Sequence, residues 1–212
     1  MATNYTITRY SDWNPTKDNF EFRKPSKNKK GGLNINFTYN GTRLYLKAPK
    51  MRCPFGIGRG MDNNGYNIQL AFDRDNQAAQ DFQSKCEEFD RTMVEYGMEN
   101  AFLWGITSTK SKKPSQEVVE DRYKPMVKYS KFPKSHVRAG EVNPEWPPYI
   151  QVQLPQTLGK EADPETGEPA VAPEFITELY DSNKNLVAIG KLNDPVAKDS
   201  TIARTIVFAI DF

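Results

Sequence analysis

The chain has 212 residues, a net charge of +2 and 37% hydrophobic residues, with 12 Phe, 10 Tyr and 3 Trp. That aromatic content excludes general disorder. Two cysteines, Cys53 and Cys86, and one histidine, His136, exclude a four-ligand structural zinc site and a disulfide framework, and isolated cysteines suit a reducing compartment.

His136 lies in a Lys/Pro-rich stretch with no nucleophile motif beside it, so Ser-His-Asp or Cys-His catalysis has no support. The expectation is a non-enzyme with no cofactor and no metal. Met1–Tyr10 is polar and does not read as a signal peptide. The longest clean apolar runs, such as Ile206–Ile210, fall far short of the ~20 residues of a membrane span. The sequons at Asn4, Asn36 and Asn40 then read as chance matches.

Residues 1–32 read as an extended polar and basic arm, since Trp13-Asn14-Pro15 and Lys24–Gly32 combine turn formers and charge with little periodicity. Residues 33–212 read as a single β-rich domain. Leu33, Ile35, Phe37 and Tyr39 alternate with polar residues at strand period, and Asn40-Gly41 supplies a two-residue hairpin turn. Arg43–Ala48 returns as the second strand, and 49–65 is a loop. Tyr66, Ile68, Leu70 and Phe72 then share one face of a third strand. Asp75 is the expected cap of a long helix. Along it Ala79, Phe82, Cys86, Phe89, Met93 and Tyr96 form one stripe that reads as core, and Gly97 is the expected stop.

A short helix is expected near Ser115–Arg122, within a long basic loop region over 109–148. Further strands are expected at Lys124–Tyr129, Tyr149–Leu154, Phe175–Tyr180, Leu186–Ile189 and Thr201–Phe212. Residues 156–173 are Pro/Gly-rich and read as an exposed loop. The fold class is mainly β with one long α-helix. The order hairpin, third strand, helix, further strands fits an OB-like antiparallel barrel. An antiparallel β-sandwich with an inserted helix is the alternative.

The near-neutral total conceals a segregated chain. Residues 23–60 hold ten basic residues and no acid, and residues 109–138 hold nine basic residues against three acids. The remainder is strongly acidic. Such basic segments suit a polyanion through counterion release, and single strands also need aromatic platforms for stacking. The first segment offers Arg43, Lys47, Lys50, Arg52 and Arg59 for phosphates, with Tyr39, Tyr45 and Phe55 for bases; the second offers Lys124 and Lys128. Alternating Phe37 and Tyr39 equally fit a core, and an acidic protein partner also suits the charge. The loop Pro54–Gly60 is neither a Walker A loop nor a Rossmann fingerprint. Asp62, Asp73 and Asp75 have no downstream partners spaced for a magnesium site. Asp73 reads as a surface charge or loop anchor.

The segments Phe37–Gly41, Leu44–Leu46 and Ala48–Gly56, with the Met-x-x-Pro-Phe-Gly element Met51 to Gly56, resemble proteins of the nucleocytoplasmic large DNA viruses of algal type. Tyr66–Phe72 and the helix through Phe82 and Phe89 extend the resemblance over roughly residues 33–154. It implies a single-stranded DNA-binding protein with an OB-like core. The expected location is the host cytoplasm or nucleus, with the virion as a further place, and not outside the cell. The expected final strand, Thr201–Phe212, departs from that pattern, in which an acidic tail is expected. The expected function is therefore non-catalytic binding of single-stranded nucleic acid, without sequence specificity. The alternative is a minor capsid or capsid-associated virion protein that meets neighbouring capsid proteins, or a second copy of itself, through its basic arm and acidic surface.

Overall fold

The computed structural model describes residues 7–27, 33–59, 66–107, 113–154, 170, 177–178 and 207–209. In chain order the strands are β1 (Ile7–Arg9), β2 (Phe20–Phe22), β3 (Ser26–Lys27), β4 (Leu33–Asn34), β5 (Phe37–Tyr39), β6 (Tyr45–Lys47), β7 (Ile57–Arg59), β8 (Tyr66–Ala71), β9 (Tyr149–Leu154) and β10 (Val207–Ala209). Two α-helices, α1 (Gln77–Glu99) and α2 (Gln116–Arg122), lie between β8 and β9.

The helical stripe forms the spine of the core. Ala79, Phe82, Cys86, Phe89 and Met93 are all buried, and burial pushes the Cys86 thiol well above its ordinary pKa. The cap is Asn76, one residue beyond Asp75: its side-chain oxygen accepts from Ala79 N at 3.2 Å. Gly97 does not stop the helix, which continues to Glu99. It serves packing instead. A Cβ at Gly97 would stand 2.8 Å from Val119 Cγ1 and 3.3 Å from Trp104 Cζ3, so only glycine lets α2 approach this closely.

The Asn40-Gly41 turn forms as expected, with φ of 48° and 74° and reciprocal bonds between Tyr39 and Thr42 at 2.7 and 3.0 Å. The strands separate after that rung. β5 pairs antiparallel with β2, whereas β6 pairs parallel with β1 and antiparallel with β10. Phe20 faces Tyr39 and Phe22 faces Phe37 in the β2–β5 register, with ring centroids 5.4 and 5.8 Å apart, and this aromatic pairing replaces the expected long hairpin.

Residues 7–27 correct the expectation of an extended arm. Trp13 and Phe20 are core residues, and Trp13 packs 5.8 Å from Phe89 and 6.2 Å from Phe82. Lys85 Nζ donates to the Ser11 and Trp13 carbonyls, and Thr92 Oγ1 donates to the Pro15 carbonyl at 3.0 Å. The turn residues that looked like a linker are the bends that lay this segment along α1.

The described strands form four small sheets, β1-β6-β10, β2-β5, β3-β4 and β7-β8-β9, and do not close into the expected OB-like barrel. Among the described residues the fold is mixed and strand-rich, with two α-helices. Lys124–Tyr129 is not a strand: the Asp90 carboxylate takes the Met126 and Val127 amides at 2.8 and 3.1 Å, leaving one ladder contact, Lys128 to Tyr149. The expected strand Leu186–Ile189 lies outside the described residues. So do the 156–173 loop apart from Ala170, Phe175–Tyr180 apart from Thr177 and Glu178, and Thr201–Phe212 apart from β10.

Candidate nucleic-acid interface

β8 and β9 are strands because apolar residues occupy every second position, and the intervening positions fall on the opposite face. Ile68 and Leu70 from β8 and Ile150 and Leu154 from β9 enter the core. The register joins Asn67 to Gln153, Gln69 to Gln151 and Ala71 to Tyr149, and paired residues share a face. The outer face thus carries two rows of facing amides and a tyrosine. Gln151 and Gln153 are exposed; Asn67, Gln69 and Tyr149 are half-buried.

One end of this face brings the two basic segments together. Arg52 bridges to Ala71, Ala71 pairs with Tyr149, and Tyr149 bridges to Lys128, forming a single row across the sheet. At strand spacing the row spans about 14 Å. Lys128 Nζ donates to Gln151 Oε1 at 2.8 Å, which fixes its side chain on the amide face. Burial and, second, the neighbouring Lys124 ammonium lower the Lys128 pKa. A second ammonium group that acts on the first raises the local potential and favours an anion there.

Not every expected contact residue joins this row in an available form. The Arg52 guanidinium grips Asp73, with Nε 2.9 Å from Oδ2, and that carboxylate raises its pKa. Arg52 is therefore an ion-paired residue that locks the loop before β7 onto β8, and Asp73 is its anchor. Tyr39 is buried in the core, its hydroxyl accepting from Asn14 N at 3.0 Å, so it offers no face to a base. Lys50 is exposed, and its carbonyl accepts from Asn76 Nδ2 at the start of α1. Arg59 ends β7, and its side chain lies outside the described residues.

Phe55 is 63% exposed and leans on Trp146, 48% exposed, with ring centroids 5.9 Å apart and planes tilted by 32°. Their segments lead into β7 and β9. The Arg74 guanidinium donates to the Pro144 carbonyl, and Asn143 Oδ1 accepts from Glu145 N at 3.0 Å, holding the Trp146 segment in shape.

Arg43, Tyr45 and Lys47 gather on a second face, that of β1-β6-β10. Leu46 is buried, so Tyr45 and Lys47 point the other way. The parallel register sets Arg9 directly opposite Lys47 and Ile7 opposite Tyr45, while the Arg43 guanidinium lies 5.6 Å from the Tyr45 ring centroid. Like charges directly opposite are unfavourable unless an anion answers them. Neither Arg9 nor Lys47 is ion-paired among the described residues.

The sequence reading missed Asn67, Gln69, Tyr149, Gln151, Gln153, Trp146 and Arg9. The amides had a readable signal, since they fall out of phase with the apolar residues of two strands that were themselves legible. Arg9 and Trp146 had none, because non-local pairing decides their neighbours.

Among the described residues no group of three His, Cys, Asp or Glu is arranged to hold a metal, and no helix is long and apolar enough to cross a membrane. No protein-family model, curated protein or solved structure matches the chain.

Proposed function

We propose that the protein binds single-stranded nucleic acid, without catalysis and without strict sequence preference, across the outer face of β7-β8-β9. The observation that carries this reading is the amide face with Tyr149 on it and Lys128 fixed at its edge. Lys124, Lys128 and Lys50 meet phosphates, while Tyr149, Phe55 and Trp146 supply stacking surfaces. Each amide offers both donors and an acceptor, so the face tolerates any base edge. Arg9, Arg43 and Lys47, with Tyr45, extend the cationic surface on their own sheet. The function does not depend on a closed barrel. The resemblance noted above supports a viral setting in the infected host cell.

The test is fluorescence anisotropy with labelled oligo-dT over a salt series. Binding at low salt that weakens steadily with added salt is expected. No binding at low salt overturns the reading.

A second reading is a virion structural protein that meets neighbouring capsid proteins through the basic segments and the acidic remainder of the chain. Stoichiometric presence in purified particles would favour it, and absence there would count against it.

A further inference from the structure

A cavity of about 370 Å³ lies between the β2-β5 pair, α1 and α2. Its wall includes Phe22, Phe37, Met93, Trp104 and Val119. Gly97 shapes this wall, because a side chain there would displace both Val119 and Trp104. Among the described residues the lining holds two cations, Arg122 and Lys124, and no carboxylate. Arg122 is already oriented, with Nη1 donating to the Gly105 carbonyl at 3.1 Å. The Tyr123 hydroxyl is committed to Asp90 at 2.6 Å and is not free for a ligand.

The volume is that of a small-molecule site, and the chemistry narrows the ligand. An aromatic and aliphatic wall releases water to an alkyl chain. A nucleobase fits poorly, because the wall would leave most of its edge groups unpaired. A guanidinium and an ammonium at one cavity favour a carboxylate or phosphate headgroup. We propose that this cavity binds a single-chain amphipathic anion, an acyl carboxylate or an alkyl phosphate, with its chain on the apolar wall and its headgroup at Arg122 and Lys124. The proposal shares Lys124 with the nucleic-acid reading but rests on the cavity and on Arg122, which that reading does not use.

Calorimetric titration of the full chain with octanoate, decanoate, decyl phosphate and decanol tests it, with Trp104 fluorescence as a local reporter. One saturable site is expected, with decanoate tighter than decanol and affinity rising about fourfold per added methylene. Comparing decanoate with decyl phosphate identifies the headgroup. Arg122 is exposed, so Arg122→Glu should keep the fold while weakening both anions at least tenfold and leaving decanol unchanged. Ile106→Trp, which fills the cavity from a residue that lines it, should weaken all four ligands. The proposal is overturned by the absence of saturable binding, by decanol matching decanoate, by an unaltered anion affinity in Arg122→Glu, or by displacement of decanoate by a nucleoside monophosphate.

Discussion

Asp90 holds three donors at once: the Tyr123 hydroxyl and the Met126 and Val127 amides. Asp90→Ala leaves those donors without their acceptor and should cost roughly 2–4 kcal/mol in urea denaturation. Burial is the largest influence on this carboxyl and raises its pKa above 3.8, against the lowering effect of its three donors. The folded chain thus keeps the proton to higher pH than the unfolded chain. The resulting stability is fully present below 3.8 and is lost as pH rises through the folded value. The stability gap between wild type and Asp90→Ala should accordingly be wider at about pH 4 than at about pH 7. Gly97 makes a second residue-scale case. Alanine is the better helix former, yet Gly97→Ala should destabilise by roughly 1–3 kcal/mol, read as a lower melting temperature, because its Cβ meets Val119. In the sequence Gly97 looked like a helix stop, because the contact that explains it comes from a residue 22 positions away.

At the scale of elements, local periodicity was legible and pairing was not. The α1 stripe, β8, β9 and the Asn40-Gly41 turn all follow from residue patterns within a few positions. β5 and β6 were also sensed as strands, but their partners β2 and β1 lie in a segment whose prolines and charges masked its core role. Phe20 and Trp13 carry no periodicity of their own; they are core because α1 offers Phe82 and Phe89 to them. Trp13→Ala should therefore cost roughly 3–5 kcal/mol, as for a large buried aromatic. A loss below about 1 kcal/mol in chemical denaturation would mean that the segment is the loose arm its composition suggests. The Lys17–Glu99 pair along the same contact is exposed at both ends and adds little to this docking.

At the scale of the molecule, the near-zero net charge resolves into local fields that chain order alone does not predict. The basic run over 23–60 does not fold into one groove. Arg43 and Lys47 join Arg9 on one sheet, Arg52 is neutralised by Asp73, and Lys50 stands at the start of α1. The second basic segment contributes Lys128 at the edge of the amide face, with Lys124 acting on its charge from the wall of the cavity beside α2. The candidate site was therefore half legible: its cations were visible as a composition, while its amides and Tyr149 emerged only when β8 and β9 were set in register. Tyr149→Ala should lower oligo-dT affinity by about 1–3 kcal/mol without changing the salt slope, since stacking releases no counterions.

The most direct measurement is the slope of log K against log salt for oligo-dT, compared between wild type and the double variant Lys124→Gln, Lys128→Gln. Two phosphate contacts at about 0.7 each should make the variant's slope shallower by about 1.4. An unchanged slope in the variant, or no wild-type binding at low salt, would contradict a nucleic-acid interface on this face.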